Sequence, residues 1–188
     1  YTTLFRSHIG IRQAKGDYVT YVDAEDWVES TYLEDLYSKL LAYEADIAVA
    51  NYSVYKESEN RFYFHIKDED YYEQVYSPAQ IIDGLFEETN NINIALISAT
   101  GKLYKRSLFN DLLFPKEHVG EDGFFNLKAY LMSERTIYLN KGLYIYRESP
   151  EMPSATWMQD WMMTLVYAME ERLAIVASHG FPMEKYMI

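Results

Sequence analysis

The sequence predicts an α/β domain, and three observations carry that expectation. "YVTYV" (18–22) is β-branched and aromatic throughout, as a buried strand tends to be. Leu33, Leu36, Tyr37, Leu40 and Leu41 then recur at helical spacing. "DIAVANYSVY" (46–55) returns as a largely apolar strand. Strand, helix and strand in that order read as a βαβ unit with a parallel pair.

The elements follow in chain order. Thr31 and Glu34 have the spacing of a capping box at the start of the first helix. "KESENRFYFHIKDEDYYEQVY" (56–76) is polar and aromatic by turns, which suits a hairpin or an excursion from the main sheet. Ser77 and Pro78 suit the N-cap and first position of a helix over "AQIIDGLFEE". "GKLYKRSLFNDLLFP" (101–115) holds a short strand and a short helix. "GEDGFFNLKAYLMSE" (120–134) carries Phe124, Leu127 and Leu131 at helical spacing behind an acidic start. "TIYL" and "LYIYR" read as two short strands around a turn at Asn140–Gly142. A long amphipathic helix is expected from Ala155 to His179, with Met158, Trp161, Leu165, Met169 and Leu173 along one face. Gly180 and Pro182 supply its stop, and the stripe reads as core or dimer contact.

Bulk properties bound the function. A chain of 188 residues can bury a real core as one domain, and 49% hydrophobic with 24% charged residues is globular composition. The net charge of −12 opposes nucleic-acid binding by Coulomb repulsion. The absence of cysteine excludes disulfides, thiolate zinc sites and cysteine nucleophiles, and fits a reducing cytoplasm. No apolar run approaches the roughly 20 residues of a membrane span, and no secretory signal is visible. Nineteen tyrosines suit stacking on sugars or other rings, although strands and interfaces favour tyrosine as well.

Two acidic clusters are the candidates for chemistry. In "YVTYVDAEDW" (18–27) the apolar stretch runs into Asp23, Glu25 and Asp26. Alternate carboxylates at a strand's end lie on one side of the chain. Open α/β sheets bind ligands there, and a hard divalent cation takes such oxygen ligands while leaving places for phosphates. The ordinary alternative is that Asp26 or Ser30 caps the helix and the other acids are solvated. The second cluster, Gly120–Asp122, opens a helix, where the dipole and free amides stabilise a carboxylate anion. Asp122 there could accept a proton from a hydroxyl, or simply cap the helix. The four histidines show no metal-ligand spacing, and no GxGxxG, Walker loop or GxSxG is present.

"GIRQAKGDYVTYVDAEDWVESTYLEDLY" closely resembles the middle of family 2 glycosyltransferases, enzymes of the GT-A fold. "GKLYKRSLF", "GEDGFFNLKAYL" and "YLNKGLYIYR" resemble later landmarks of that family in the same order, so that the likeness covers about residues 8–150. The resemblance implies an inverting transfer of sugar from a nucleotide diphosphate-sugar donor to a hydroxyl of a glycan or lipid-linked glycan. It places Asp23 and Glu25 at the DxD positions that hold Mg²⁺ or Mn²⁺ and the donor diphosphate. Asp26 and Trp27 fall on the same donor turn, Arg147 near the diphosphate, Asp122 on the general base and Glu121 beside it towards the acceptor. The second DxD carboxylate is here Glu25, one methylene longer than the family's aspartate. The alternative function is therefore a glycosyltransferase-like binding or scaffold module without catalysis.

The family begins with a strand like "SIIVPVYN" and two further βα units that bind the nucleotide. "YTTLFRSHIGI" stands in their place here. Residues 1–7 are accordingly expected to be a non-native leader, 8–150 a partial GT-A domain truncated at its N-terminus, and 151–188 a C-terminal helical extension. Such a fragment would itself be inactive, and its open sheet edge would favour a homo-oligomer. A bacterial, cytoplasmic enzyme of polysaccharide synthesis, working up to the inner face of the membrane, is the expected setting.

Overall fold

The computed structural model describes residues 10–86, 92–110, 121–148, 166, 170 and 173–182, with side chains described except at 85–86, 92–93 and 121–124. The described strands are β1 (Tyr18–Val19), β2 (Trp27–Val28), β3 (Ile47–Lys56), β4 (Arg61–Phe64), β5 (Glu73–Tyr76), β6 (Lys102–Lys105) and β7 (Thr136–Glu148). The helices are α1 (Tyr32–Ala42), α2 (Pro78–Phe86), α3 (Ile92–Ile97) and α4 (Glu121–Met132). The strands form one mixed sheet in the order β1-β6-β3-β7-β2, with β4 paired to β3 and β5 to β7.

The centre of the sheet is the parallel pair β3–β7. Its apolar runs follow from burial on both faces. Ile47 and Val49 point into one cluster, with Ile81, Ile82, Leu96, Phe125 and Leu127 from the helices. Ala48 and Ala50 point into the other, against Tyr32, Leu36 and Leu40 of α1. Period-two strands sandwiched between helices give this alternation directly.

Several expectations change. β1 and β3, expected as the strands on either side of α1, do not pair with each other, because β6 lies between them, antiparallel to both. "YVTYV" is a strand only at Tyr18–Val19, at one edge of the described sheet. Beyond that point its partners are side chains: the Thr20 hydroxyl lies 2.7 Å from the Tyr32 hydroxyl.

In α1 the buried positions are Tyr32, Leu36 and Leu40, whereas Leu33, Tyr37 and Leu41 are exposed. The helical period was legible, but which side meets the sheet is a tertiary matter. Thr31 does not close a capping box, since its φ/ψ of −93°/2° departs from the extended N-cap conformation. Its hydroxyl donates instead to Asp35 at 2.7 Å. The reciprocal box occurs at α2, where the Ser77 amide donates to Gln80 Oε1 at 2.9 Å and the Gln80 amide to Ser77 Oγ at 3.4 Å.

The turn expected at Asn140–Gly142 is an irregularity within the single strand β7, across which pairing with β3 jumps from Ala50↔Leu139 to Asn51↔Gly142. Asn51 Nδ2 donates to Asn140 Oδ1 at 2.9 Å, and a Cβ on Gly142 would collide with the Ser53 hydroxyl. The extra residues are thus held by side-chain bonds and by the missing Cβ. Residues 56–76 meet the hairpin expectation at β4, which pairs back on β3, while β5 joins the same sheet against β7 rather than leaving it. Lys102 is fully buried, its ammonium donating to the Ala95 and Ser98 carbonyls at the end of α3.

Most of the expected C-terminal helix, including Met158, Trp161, Leu165 and Met169, lies outside the described residues. Its end does not. Gly180 has φ +76°, with the Phe181 amide donating to the Val176 carbonyl at 3.2 Å and the Gly180 amide to Ala177 at 3.1 Å. That double bond is a Schellman stop at the predicted glycine. Among the described residues no helix is long and apolar enough to cross a membrane.

Candidate active site

The acidic turn joins β1 to β2 and is fastened to β7. Trp27 pairs with Ile145 and Val28 with Tyr144, so the turn lies over the second half of β7. The Asp26 amide closes it on the Asp23 carbonyl at 3.1 Å. The Tyr144 hydroxyl accepts from the Asp23 amide at 3.2 Å and donates to Asp26 Oδ2 at 2.6 Å. Asp26 Oδ1 accepts from the Arg147 amide at 2.9 Å. Both oxygens of Asp26 are therefore engaged with β7. Burial, and then the Asp26 carboxylate, hold the Tyr144 phenol well above the ordinary tyrosine range, so it remains a neutral donor.

Arg147 completes the fastening. Its Nε donates to the Glu25 carbonyl at 2.8 Å and its Nη1 to Glu57 at 2.9 Å. Its guanidinium lies 5.0 Å above the Trp27 ring, which meets Tyr55 edge-on at 5.3 Å. Planar charge over an indole face is a favourable arrangement, but one shared here with solvent. Tyr146 lies nearby: burial raises its phenol, and the Asp26 and Glu25 carboxylates raise it further.

Asp23, Glu25, Asp26, Trp27 and Arg147 are thus brought together. Asp23 and Asp26 are part-buried and Glu25 is exposed. Among the described residues there is no group of three or more acidic or histidine side chains able to hold a metal. The pair Asp23 and Glu25 offers oxygen donors only, the chemistry a hard cation accepts when substrate and water supply its remaining ligands.

Glu121 and Asp122 open α4, as the sequence indicates, but their side chains lie outside the described residues. The next turn of α4 is placed: the Phe125 ring meets Tyr21 at 6.1 Å and Tyr104 at 5.7 Å. Tyr21 is two residues before Asp23, so Phe125 of α4 packs beside the approach to the acidic turn.

Sequence reasoning missed Tyr144 and Glu57. The alternation in "LYIYR" put Tyr144 and Tyr146 on one face, but nothing in it said which face would meet the turn. It also missed a cavity of about 500 Å³ between the ends of β3 and β7 and the helix α3, lined by Tyr52, Tyr63, Tyr144 and Tyr146 among others.

The sequence profile of "Glycosyl transferase family 2" matches residues 7–113. The chain is 49% identical over 178 residues to glycosyltransferase GlyA of Streptococcus pneumoniae serotype 4, covering 95% of this chain and 26% of that protein. It is 31% identical over 140 residues to GlyG of the same organism, covering 74% of this chain and 46% of that one. The chain therefore spans from about a quarter to under half of these relatives. The crystal structure of Staphylococcus aureus TarS 1–349 in complex with UDP superposes with a TM-score of 0.59 at 20% identity, over 88% of this chain and 43% of that one. At that identity the likeness concerns the fold.

Proposed function

Because the chain belongs to glycosyl transferase family 2 and has its GT-A fold, we propose that it carries the metal turn and acceptor side of an inverting hexosyltransferase. The reaction moves a sugar from a nucleotide diphosphate-sugar to a hydroxyl of a glycan or lipid-linked glycan, in bacterial polysaccharide synthesis. It proceeds in the cytoplasm, up to the inner face of the membrane. Residues 8–150 are on this reading the partial GT-A domain and 151–188 its extension.

The observation that carries the reading is the division of labour in the acidic turn. Asp26 spends both oxygens on Tyr144 and the Arg147 amide, which holds the turn rigid. Asp23 and Glu25, on the turn so held, are the carboxylates that the family resemblance assigns to Mg²⁺ or Mn²⁺. When bound, the cation would supply neutralisation of charge on the departing diphosphate. Arg147 and Trp27 buttress the turn and flank the diphosphate. Asp122, an anion stabilised by the N-terminus of α4, takes the proton of the acceptor hydroxyl, with Glu121 on the acceptor side. The acceptor oxygen bonds to the anomeric carbon from the face opposite the diphosphate, the bond to the diphosphate oxygen breaks, and the configuration inverts. Contact between Phe125 and Tyr21 supports the approach of the two sites.

In a full-length homologue with this turn, Asp23→Ala abolishes metal-dependent donor binding. Asp122→Asn leaves donor binding intact and removes transfer. Calorimetry with Mn²⁺ and the nucleotide, beside a transfer assay, separates the two; equal loss of donor binding in both variants overturns the assignment. The second reading, a binding module without catalysis, is favoured by the exposed Glu25 in the DxD. Metal-dependent donor hydrolysis by the homologue would exclude it.

A further inference from the structure

We infer that the cavity of about 500 Å³ beside the acidic turn is the acceptor subsite, and that it takes uncharged pyranose rings by stacking on tyrosine. The inference rests on the glycosyltransferase reading and adds the class of acceptor to it.

Sheet register builds the floor. On the parallel pair β3–β7, Tyr52 lies opposite Tyr144 and Val54 opposite Tyr146. Residues two apart share a face, so both cross-strand pairs, with three tyrosines between them, and Glu148 come to the same side of the sheet. Tyr63 from β4 and the α3 segment wall the cavity. The α3 wall is fixed from behind by the buried Lys102 ammonium on the Ala95 and Ser98 carbonyls, and by the Tyr130 hydroxyl on the Leu96 carbonyl at 2.9 Å. Gly101, at φ +70°, brings the backbone close enough that a Cβ there would touch Tyr144 at 3.5 Å. The cavity is therefore a formed feature of the packing, with a volume typical of small-ligand sites.

Its chemistry selects the occupant. Among its described lining residues there is no lysine, arginine or histidine, and Glu148 is the one carboxylate. A phosphate would meet a negative group and no cation there, so this cavity is not the seat of the diphosphate or of an anionic acceptor group. A pyranose suits it better: its C–H face lies on a tyrosine ring while its hydroxyls reach Glu148 and the Ser98 and Thr100 hydroxyls. The Ser98 and Thr100 hydroxyls already bond each other at 2.7 Å, so the group that decides against a hydrocarbon chain is the Glu148 carboxylate, which such a chain would cover without offering a partner. Position supplies the last argument. Tyr144 forms the wall of the cavity with its ring and the anchor of the acidic turn with its hydroxyl, so an acceptor ring seated here is one side chain away from Asp23.

Tyr63 and Tyr146 are 72% and 51% exposed, so trimming them leaves the core intact. The test is saturation-transfer NMR on the full chain with methyl β-glucopyranoside and methyl N-acetyl-β-glucosaminide, against glucose 6-phosphate, with Mn²⁺ and UDP titrated separately. The expected result is contact through the ring protons of at least one neutral glycoside and weaker binding of the phosphate. Tyr63→Ala and Tyr146→Ala should each weaken the glycoside about fivefold, and phenylalanine at either position should restore it. Absence of neutral glycoside binding, equal binding by the alanine variants, or preference for the phosphate each overturns the inference. Tyrosine-dependent glycoside binding together with failure of a full-length homologue carrying this turn to bind Mn²⁺–UDP upholds the cavity and sinks the donor site; the reverse sinks the cavity alone.

Discussion

β3 is paired with β7 along all ten of its residues, whereas β1 and β2, which bracket the acidic turn, have two residues each. The first region is fixed by a ladder that runs the length of β3 with an irregularity opposite Asn51, and whose first half is buried on both faces. The second is fixed by side chains: one phenol, one carboxylate and one arginine carry what hydrogen bonds between strands carry elsewhere. A ladder fails only when its packing fails. A turn hung on three side chains can be loosened by one atom without unfolding the domain, which suits the cation-holding role proposed for it.

The largest expected effect comes from attacking the ladder. Ile137, fully buried on β7 opposite Ala48, should cost about 2–5 kcal/mol when replaced by alanine, read from urea unfolding. Donor binding should fall only in proportion to the unfolded fraction. Tyr144→Phe attacks the other region. The ring stays, the hydroxyl bonded to Asp23 and Asp26 goes, and the stability cost is about 1–2 kcal/mol. In a full-length homologue carrying this turn, metal-dependent nucleotide affinity should nevertheless fall about tenfold, since the turn loses its anchor. Unchanged affinity would mean that the short strands alone fix the turn. Arg147→Lys keeps the charge but loses the Nε bond to the Glu25 carbonyl and the planar contact with Trp27. About 0.5–1 kcal/mol is expected, with a change in tryptophan fluorescence marking the altered contact.

The smallest effect is on acid stability. Partial burial pushes the Glu73 carboxyl up, but hydrogen bonds from Lys39, Tyr71 and Tyr43 outweigh it and hold the group below the ordinary glutamate range. A lowered folded value means that this stabilisation is present above the ordinary range and is lost as pH falls through the lowered value. Glu73→Gln should flatten the acid limb of a thermal unfolding series from about pH 6 to about pH 3 and leave the β3–β7 ladder's contribution untouched.

The sequence by itself determined a good deal. Strand, helix and breaker positions followed from local rules: β3 and α1 lie where periodicity put them, Ser77–Pro78 starts α2, and Gly180 ends the last helix. Family membership followed from ordered motifs, because "YVTYVDAEDW" and "GKLYKRSLF" are contiguous stretches whose identity needs no fold to be read. The acids of the turn were likewise legible as candidates. What each acid does was not. Asp23, Glu25 and Asp26 are the same chemistry at neighbouring positions, and only the arrival of Tyr144 and Arg147, more than a hundred residues later, engages both oxygens of Asp26. The same holds for α1, whose Leu33, Tyr37 and Leu41 satisfy helical spacing as well as the buried set does. Local propensity is a property of a few adjacent residues and can be read along the chain. The face that is buried, the strand that intervenes and the carboxylate that becomes an anchor depend on partners distant in sequence, and the chain acquires those only by folding.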